Sequence, residues 1–270
     1  MRASGGTLRP LSQARPSDLL TSGYAVRFAP PKPLRASHTR KPLSEMPKPA
    51  FEEKGFINVF KFINMEMRKL DLIKEYKTYY TAKTTPEIVE IEEGKFLTIE
   101  GKGAPGSEEF QSKVSALYSL AYGIKMLMKK EGKDFTVAKL EGLWWVDSDK
   151  PWHEVPREEW RWKLLIRQPE FVTHEIVEKA RQEVIKKKKI ELVKEVKFEK
   201  MKEGKCVQIL HIGPYSTEPE SIAKMRKLME EKNLVPNGLH HEIYLVMAYP
   251  RKVPDEKLKT ILRQPVRGRE

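Results

Sequence analysis

Cysteine is almost missing from this chain: Cys206 is the only one in 270 residues. A lone cysteine excludes an intrachain disulfide and any multi-cysteine metal cluster, and it fits a reducing compartment. It stands in the apolar run Cys206-Val207-Gln208-Ile209-Leu210, where a small buried thiol is the simplest role. Long apolar runs are missing too. No stretch approaches the roughly 18 consecutive apolar residues of a membrane span, so a soluble, cytoplasmic protein without a membrane partner is expected. There is no glycine-rich phosphate loop ending in Lys-Ser/Thr, no nucleophile elbow and no dinucleotide fingerprint, so no cofactor is expected. Zinc-finger spacing, a recognition helix and an aromatic-basic platform are absent as well, which argues against direct DNA binding despite the basic charge.

The formal charge of +13 is unevenly spread. Residues 1–45 hold six Arg and two Lys against Asp18 and Glu45, a net of +6. This segment is rich in Ser, Arg and Pro and lacks hydrophobic periodicity, so it cannot bury enough surface to offset its ordering entropy. A disordered basic tail over 1–45 and a linker over 46–65 are expected. The tail's composition fits an organellar transit peptide, which would move the protein to an organelle; a start at Met46 or Met65 is the alternative. In the body Lys and Glu interleave, except for Lys186-Lys187-Lys188-Lys189. There the run complements the dipole of a helix end and solvates it.

From residue 66 the pattern predicts an α+β domain. A helix is expected around 66–80, then a strand pair, Ile88–Ile91 and Lys95–Glu100, joined at Glu92-Glu93-Gly94. Apolar residues at 110, 114, 117, 118, 121, 124 and 128 predict a helix from Ser107 to about Lys130 with one buried face. Strands follow near 135–138, 140–146 and 162–167. A helix over 173–188 then opens on the capping residue Thr173.

The chain also repeats. Ile91 to Ile99 matches Met201 to Ile209 in Glu-Gly-Lys and the apolar positions, and Gly103-Ala104-Pro105 lies opposite Gly213-Pro214-Tyr215. Glu141 lies opposite Glu242, and Ile166-Arg167-Gln168-Pro169 opposite Leu262-Arg263-Gln264-Pro265. The second copy's helix spans about Glu218–Glu231. These landmarks predict a tandem repeat of two β-α-β-β units, one over about 86–170 and the other over about 190–267. Packed about a pseudo-twofold axis, they would leave a central cleft for a ligand.

Candidate site residues follow from strand alternation. Glu141, Leu143 and Trp145 share one face of their strand and Trp144 the other, while Glu242 and Tyr244 share a face. A carboxylate among apolar and aromatic neighbours is costly to bury unless paired or used. If both glutamates meet one cavity, they would hold a planar cation by charge and cation-π attraction, or do acid-base work. The alternative is that each pairs with a nearby basic side chain. Tyr215 follows a Gly-Pro turn that throws it toward the cleft, and Trp162 is among the five tryptophans that could line it. Adjacent His240 and His241 point to opposite faces, which disfavours metal ligation; hydrogen-bonding or surface roles suit them better.

As a set, Glu141-Gly142-Leu143-Trp144-Trp145, His211-Ile212-Gly213-Pro214-Tyr215, His240-His241-Glu242-Ile243-Tyr244 and Leu262-Arg263-Gln264-Pro265-Val266 resemble GyrI-like small-molecule-binding proteins over about residues 66–267. Those are relatives of the effector-binding domains of AraC-type and multidrug-sensing transcription regulators. The resemblance implies an SHS2-type tandem repeat with a ligand cleft, and it places Glu242 at the acidic position that meets cationic or aromatic ligands. Stand-alone members with Glu-Gly-Leu-Trp-Trp resemble cyclopropanoid cyclopropyl hydrolases, which detoxify DNA-alkylating compounds by adding water to a strained ring. Carried over, Glu141 and Glu242 would activate water, Tyr215 and Tyr244 would hydrogen-bond substrate, and Trp144 or Trp145 would stack on it. A small hydrophobic or cationic ligand is thus the expected partner of a monomer or homodimer. An accessory protein acting on a topoisomerase or a regulator is a further possibility that the resemblance raises.

Overall fold

The structure, a computed structural model, describes residues 69–150, 152–248 and 252–269; the expected tail and linker lie outside them. In chain order the elements are β1 (Leu70–Asp71), α1 (Leu72–Glu75), β2 (Glu87–Ile91), β3 (Gly94–Lys102), α2 (Glu108–Lys130), β4 (Phe135–Thr136), β5 (Leu140–Trp145), β6 (Arg161–Gln168), α3 (His174–Lys188), β7 (Lys197–Met201), β8 (Gly204–Ile212), α4 (Glu218–Glu231), β9 (Leu234–Pro236), β10 (His240–Val246) and β11 (Lys259–Gly268). Short 3-10 turns join several of them. Among these residues no helix is long and apolar enough to cross a membrane.

The helices begin where local chemistry places them. The Ser107 hydroxyl accepts a hydrogen bond from Phe110 N at 3.2 Å and that of Thr173 from Ile176 N at 3.4 Å, each meeting an otherwise orphan amide. Lys186, Lys187 and Lys188 close α3, and Lys189 leaves it in the left-handed conformation at φ 57°. The helix expected over 66–80 is one turn in the described part, α1, capped by the Asp71 side chain. It stops because the chain turns Tyr79 and Tyr80 inward, to 4% and 3% exposure.

Eight strands run β2-β8-β11-β10-β5-β6-β3-β7 in one antiparallel sheet, β9 adds to β11, and β1 pairs β4 separately. The expected hairpin between β2 and β3 is not formed. β2 crosses to pair with β8, and β7 likewise leaves β8 for β3. Alternation and turn residues identify strands, but they do not say which edge a strand will join.

α2 packs on β3 and β6, α3 packs on α2, and α4 packs on β8. Leu117, Leu120 and Ile124 of α2 are fully buried with Leu97, Leu164 and Ile166 in the main core, each worth about 1.5–3 kcal/mol in transfer from water. A smaller core joins Met225 and Met229 of α4 to Val207, Ile209, Leu262 and Val266. Cys206 is buried on β8, and burial pushes its thiol up to about 12, away from nucleophilic use.

Trp162 is completely buried, and its indole lies on the backbone of Gly101, where a Cβ would come within 2.1 Å of the ring. Gly101→Ala is therefore expected to destabilise the fold by about 1–3 kcal/mol, read as a lower urea midpoint. An unchanged midpoint would mean that the indole can move aside.

Candidate functional site

Strand register divides the candidate residues between the two faces of the sheet. Ile243 of β10 stands opposite Glu141 of β5, and Glu242 stands opposite Gly142. Residues paired across an antiparallel ladder share a face. Glu141 therefore lies with Leu143, His241 and Ile243, while Glu242 lies with Gly142, Trp144 and Tyr244. The expectation that both glutamates face one cavity is corrected: they point to opposite sides. The chain separation between the two matched glutamates is odd, and in this ladder that places them on different faces.

The face of Glu242 carries the helices. Trp144 pairs with Trp162, and Phe110 of α2 stacks on Trp144 at 6.1 Å and meets Trp162 edge-on at 5.0 Å. On the other flank Tyr244 pairs with Thr260 and Thr260 with His211, whose Nδ1 lies 3.0 Å from Ser221 Oγ of α4. The strip between α2 and α4 thus belongs to β5 and β10. The Tyr244 hydroxyl donates to Glu242 at 2.8 Å and accepts from the Trp144 indole at 3.0 Å. Tyr215 meets the Tyr244 ring edge-on at 6.1 Å, and Trp160 meets Trp144 at 6.2 Å. Gly142 permits this closeness, since a Cβ there would come within 2.8 Å of the Trp144 indole nitrogen and 3.2 Å of the Tyr244 hydroxyl.

Charge on this face is acidic. Burial, then the Glu242 charge, pushes the Tyr244 phenol well above its ordinary range; burial, then Glu218 and Glu242, does the same to Tyr215. Both are hydrogen-bond donors at neutral pH. The Glu242 side chain keeps 15% exposure, and His240 Nε2 lies 3.6 Å from its Oε1, too far for a hydrogen bond. Glu218, the first residue of α4, is buried at 7% exposure; burial and the Glu242 charge hold its carboxyl well above the carboxylate range.

The face of Glu141 holds a closed network. Glu141 is fully buried and accepts from Tyr79 at 2.5 Å, Tyr80 at 3.1 Å and His241 at 3.1 Å. The other ring nitrogen of His241 donates to Glu203 at 3.0 Å, and Arg263 Nη1 donates to the second oxygen of Glu203 at 3.1 Å. Arg263 also donates to Tyr79 O at 2.7 Å and to Gln208 at 3.0 Å. Burial disfavours the imidazolium, but the Glu203 charge and the bonds to Glu141 and Glu203 outweigh it and raise His241 to about 9. Burial likewise opposes the Glu203 anion, and His241 and Arg263 override it, holding it at about 2. The guanidiniums of Arg167 and Arg263 both lie against the Tyr79 ring, 4.6 and 4.5 Å from its centroid. An open depression of about 150 Å³ on this side reaches Leu143, Met201, Asn237, Leu239 and Glu203; Glu203 already spends both oxygens on the network.

Of the expected site residues, the structure gathers Trp144, Glu242 and Tyr244 on the helix-bearing face, with Tyr215 against Tyr244 and Trp162 behind Phe110. Trp145 and Glu141 fall on the other side. Five residues went unread in the sequence: His241 and Glu203 as a buried ion pair, Tyr79 and Tyr80 as donors to Glu141, and Glu218. Arg263 was visible only as a repeat landmark. Nothing in the local pattern of Glu203 or Glu218 distinguishes them from the many solvated glutamates around them.

The comparisons agree with this architecture. The GyrI-like small molecule binding domain matches residues 84–267. Two solved structures from Listeria innocua are similar over their whole length and 74% of this chain. One is an uncharacterized conserved protein, 41% identical with a TM-score of 0.68, and the other is described as a hydrolase, 42% identical with a TM-score of 0.64. Among curated proteins none matches. With the match spanning most of the chain and these identities over complete relatives, the protein belongs to the GyrI-like small-molecule-binding family.

Proposed function

We propose that the protein binds hydrophobic, aromatic or cationic small molecules on the strip between α2 and α4, with Glu242 supplying charge and Trp144, Tyr215 and Tyr244 supplying ring surface. Trp162 backs this wall rather than touching the ligand. The observation that carries the reading is the Glu242 carboxylate, partly exposed and bonded to a tyrosine hydroxyl within a cluster of rings. A cation resting there gains Coulomb and cation-π attraction, the latter about 0.5–2 kcal/mol per well-placed ring. Glu141 has another role in this reading: its oxygens are taken by three donors, so it anchors the sheet and does not activate water.

The cleft reading goes with a tandem-repeat reading of the domain. In support, the order β2-β8-β11-β10-β5-β6-β3-β7 reads the same from either end when β2, β3, β5 and β6 are exchanged for β7, β8, β10 and β11. The two arginines of the repeated Arg-Gln-Pro also converge on Tyr79.

A second reading, hydrolysis of a strained-ring compound in the same cleft, is favoured by the 42% identical relative described as a hydrolase. Glu242 would then accept the proton of an attacking water. Tryptophan-fluorescence titration with planar cationic dyes and cyclopropane-bearing alkylators, with mass spectrometry of each mixture, separates the two. Saturable quenching with unchanged compound is expected for a binder, a product heavier by one water for a hydrolase. No saturable change with any compound would overturn both.

A further inference from the structure

The acidic strip contains a group that the ligand-binding reading does not use. Glu218 is buried at the start of α4, its Oε1 has no hydrogen-bond partner, and Thr260, at 1% exposure, has an unpartnered hydroxyl. Thr260 stands beside Tyr244 in the register of β10 and β11, so it faces the same strip. It lies near enough to the Glu218 carboxyl to act on it, yet the two do not reach hydrogen-bond geometry. Two buried polar oxygens without partners beside a glutamate-bearing aromatic strip are costly unless a proton or a ligand occupies the space between them.

The charges around Glu218 decide its state. Glu242 acts on it directly, and Glu218, Glu242 and Asp255 all act on Tyr215. Tyr244 and His240 face it from β10, Thr260 from β11 and His211 from β8; His211 is engaged with Ser221 and Pro214 O. The N-terminus of α4 favours an anion by about 0.3–1 kcal/mol. That is smaller than the several kcal/mol that burying a second carboxylate charge beside the first costs. Glu242 is the more exposed of the two and already accepts from Tyr244.

We propose that Glu218 is the proton-carrying partner of Glu242, so that the site presents one negative charge and selects monocationic aromatic ligands over dicationic ones. The inference rests on the binding reading of Glu242 and adds the charge class of the ligand. Glu218 is a specificity-determining residue that acts by staying neutral. A monocation binds without changing its protonation, whereas a dication of similar shape drives the Glu218 proton into solvent and binds more weakly by the free energy of that ionisation.

The test compares a monocationic and a dicationic phenanthridinium dye by calorimetry in two buffers of different ionisation enthalpy. The expected result is no proton release with the monocation and about one proton released with the dication. Glu218→Gln, neutral like the protonated acid, should hold monocation affinity within about threefold, while Glu242→Gln loses it. Equal losses in both variants, or equal proton counts for both dyes, would overturn the proposal. Infrared titration of the ligand-free protein checks the pair independently. A protonated-carboxyl band at neutral pH that is absent in Glu218→Gln supports the pair even if no dye binds, and its absence from the wild type defeats it. Failure of dye binding with that band intact would count against the binding reading alone.

Discussion

Replacing His241 with alanine is expected to destabilise the protein by about 3–5 kcal/mol, the cost of leaving buried charges without their partner. His241 has no exposed surface, and it links Glu141 at 3.1 Å to Glu203 at 3.0 Å. Without the imidazolium, Glu141 keeps two tyrosine donors and Glu203 keeps Arg263, but both face a cavity where a cation stood. A urea-denaturation midpoint close to that of the wild type would show that the network is not a main source of stability. The same group predicts a pH dependence. The folded protein raises His241 from 6.5 to about 9, so its stabilising contribution, about 3 kcal/mol, is complete below 6.5. It is lost as pH rises through 9. Glu203 moves the other way, from 4.5 to about 2; its contribution is present above 4.5 and is lost as pH falls toward 2. Stability from this network should peak between about pH 4.5 and 6.5. In His241→Gln the alkaline decline should flatten, and an identical decline in both proteins would assign it to other groups.

Glu242→Gln should weaken binding of a monocationic aromatic dye at least tenfold, about 1.4 kcal/mol, with little change in melting temperature. The amide oxygen can still accept from Tyr244 while the charge is gone, so the ring cluster keeps its geometry. Fluorescence titration against the wild type measures the ratio, and a neutral analogue of the dye should show a much smaller loss. Equal affinity of both proteins for the cation would remove Glu242 from the binding reading, whatever the fate of the fold. Glu141→Gln makes the contrast, because it disturbs a buried acceptor of three hydrogen bonds and should lower stability before it touches affinity.

Much of the chain's local structure was legible from residue order. The helix over 108–130 and its Ser107 cap follow from spacing and capping chemistry, as do α3 behind Thr173 and α4 over Glu218–Glu231. These depend on contacts within a few residues, which a sequence carries directly. The aromatic strands at Leu140–Trp145 and His240–Val246 were likewise visible from β-branched and aromatic content. The family set of motifs was visible because those residues lie in short runs.

The sequence by itself determined the helices over 108–130, 174–188 and 218–231 with their apolar faces, and that Trp144, Glu242 and Tyr244 occupy strands rich in rings; the helix expected over 66–80 came out as a single turn in the described residues. Only the tertiary structure decided that β2 joins β8 and not β3, and that Glu141 and Glu242 stand on opposite faces. It alone brought His241, Glu203 and Arg263 together, and it alone buried Glu218 beside Glu242. The reason is the same in each case. Strand alternation sets the side of each residue relative to its own neighbours, whereas pairing register sets the side relative to another strand, and a slip of one residue reverses it.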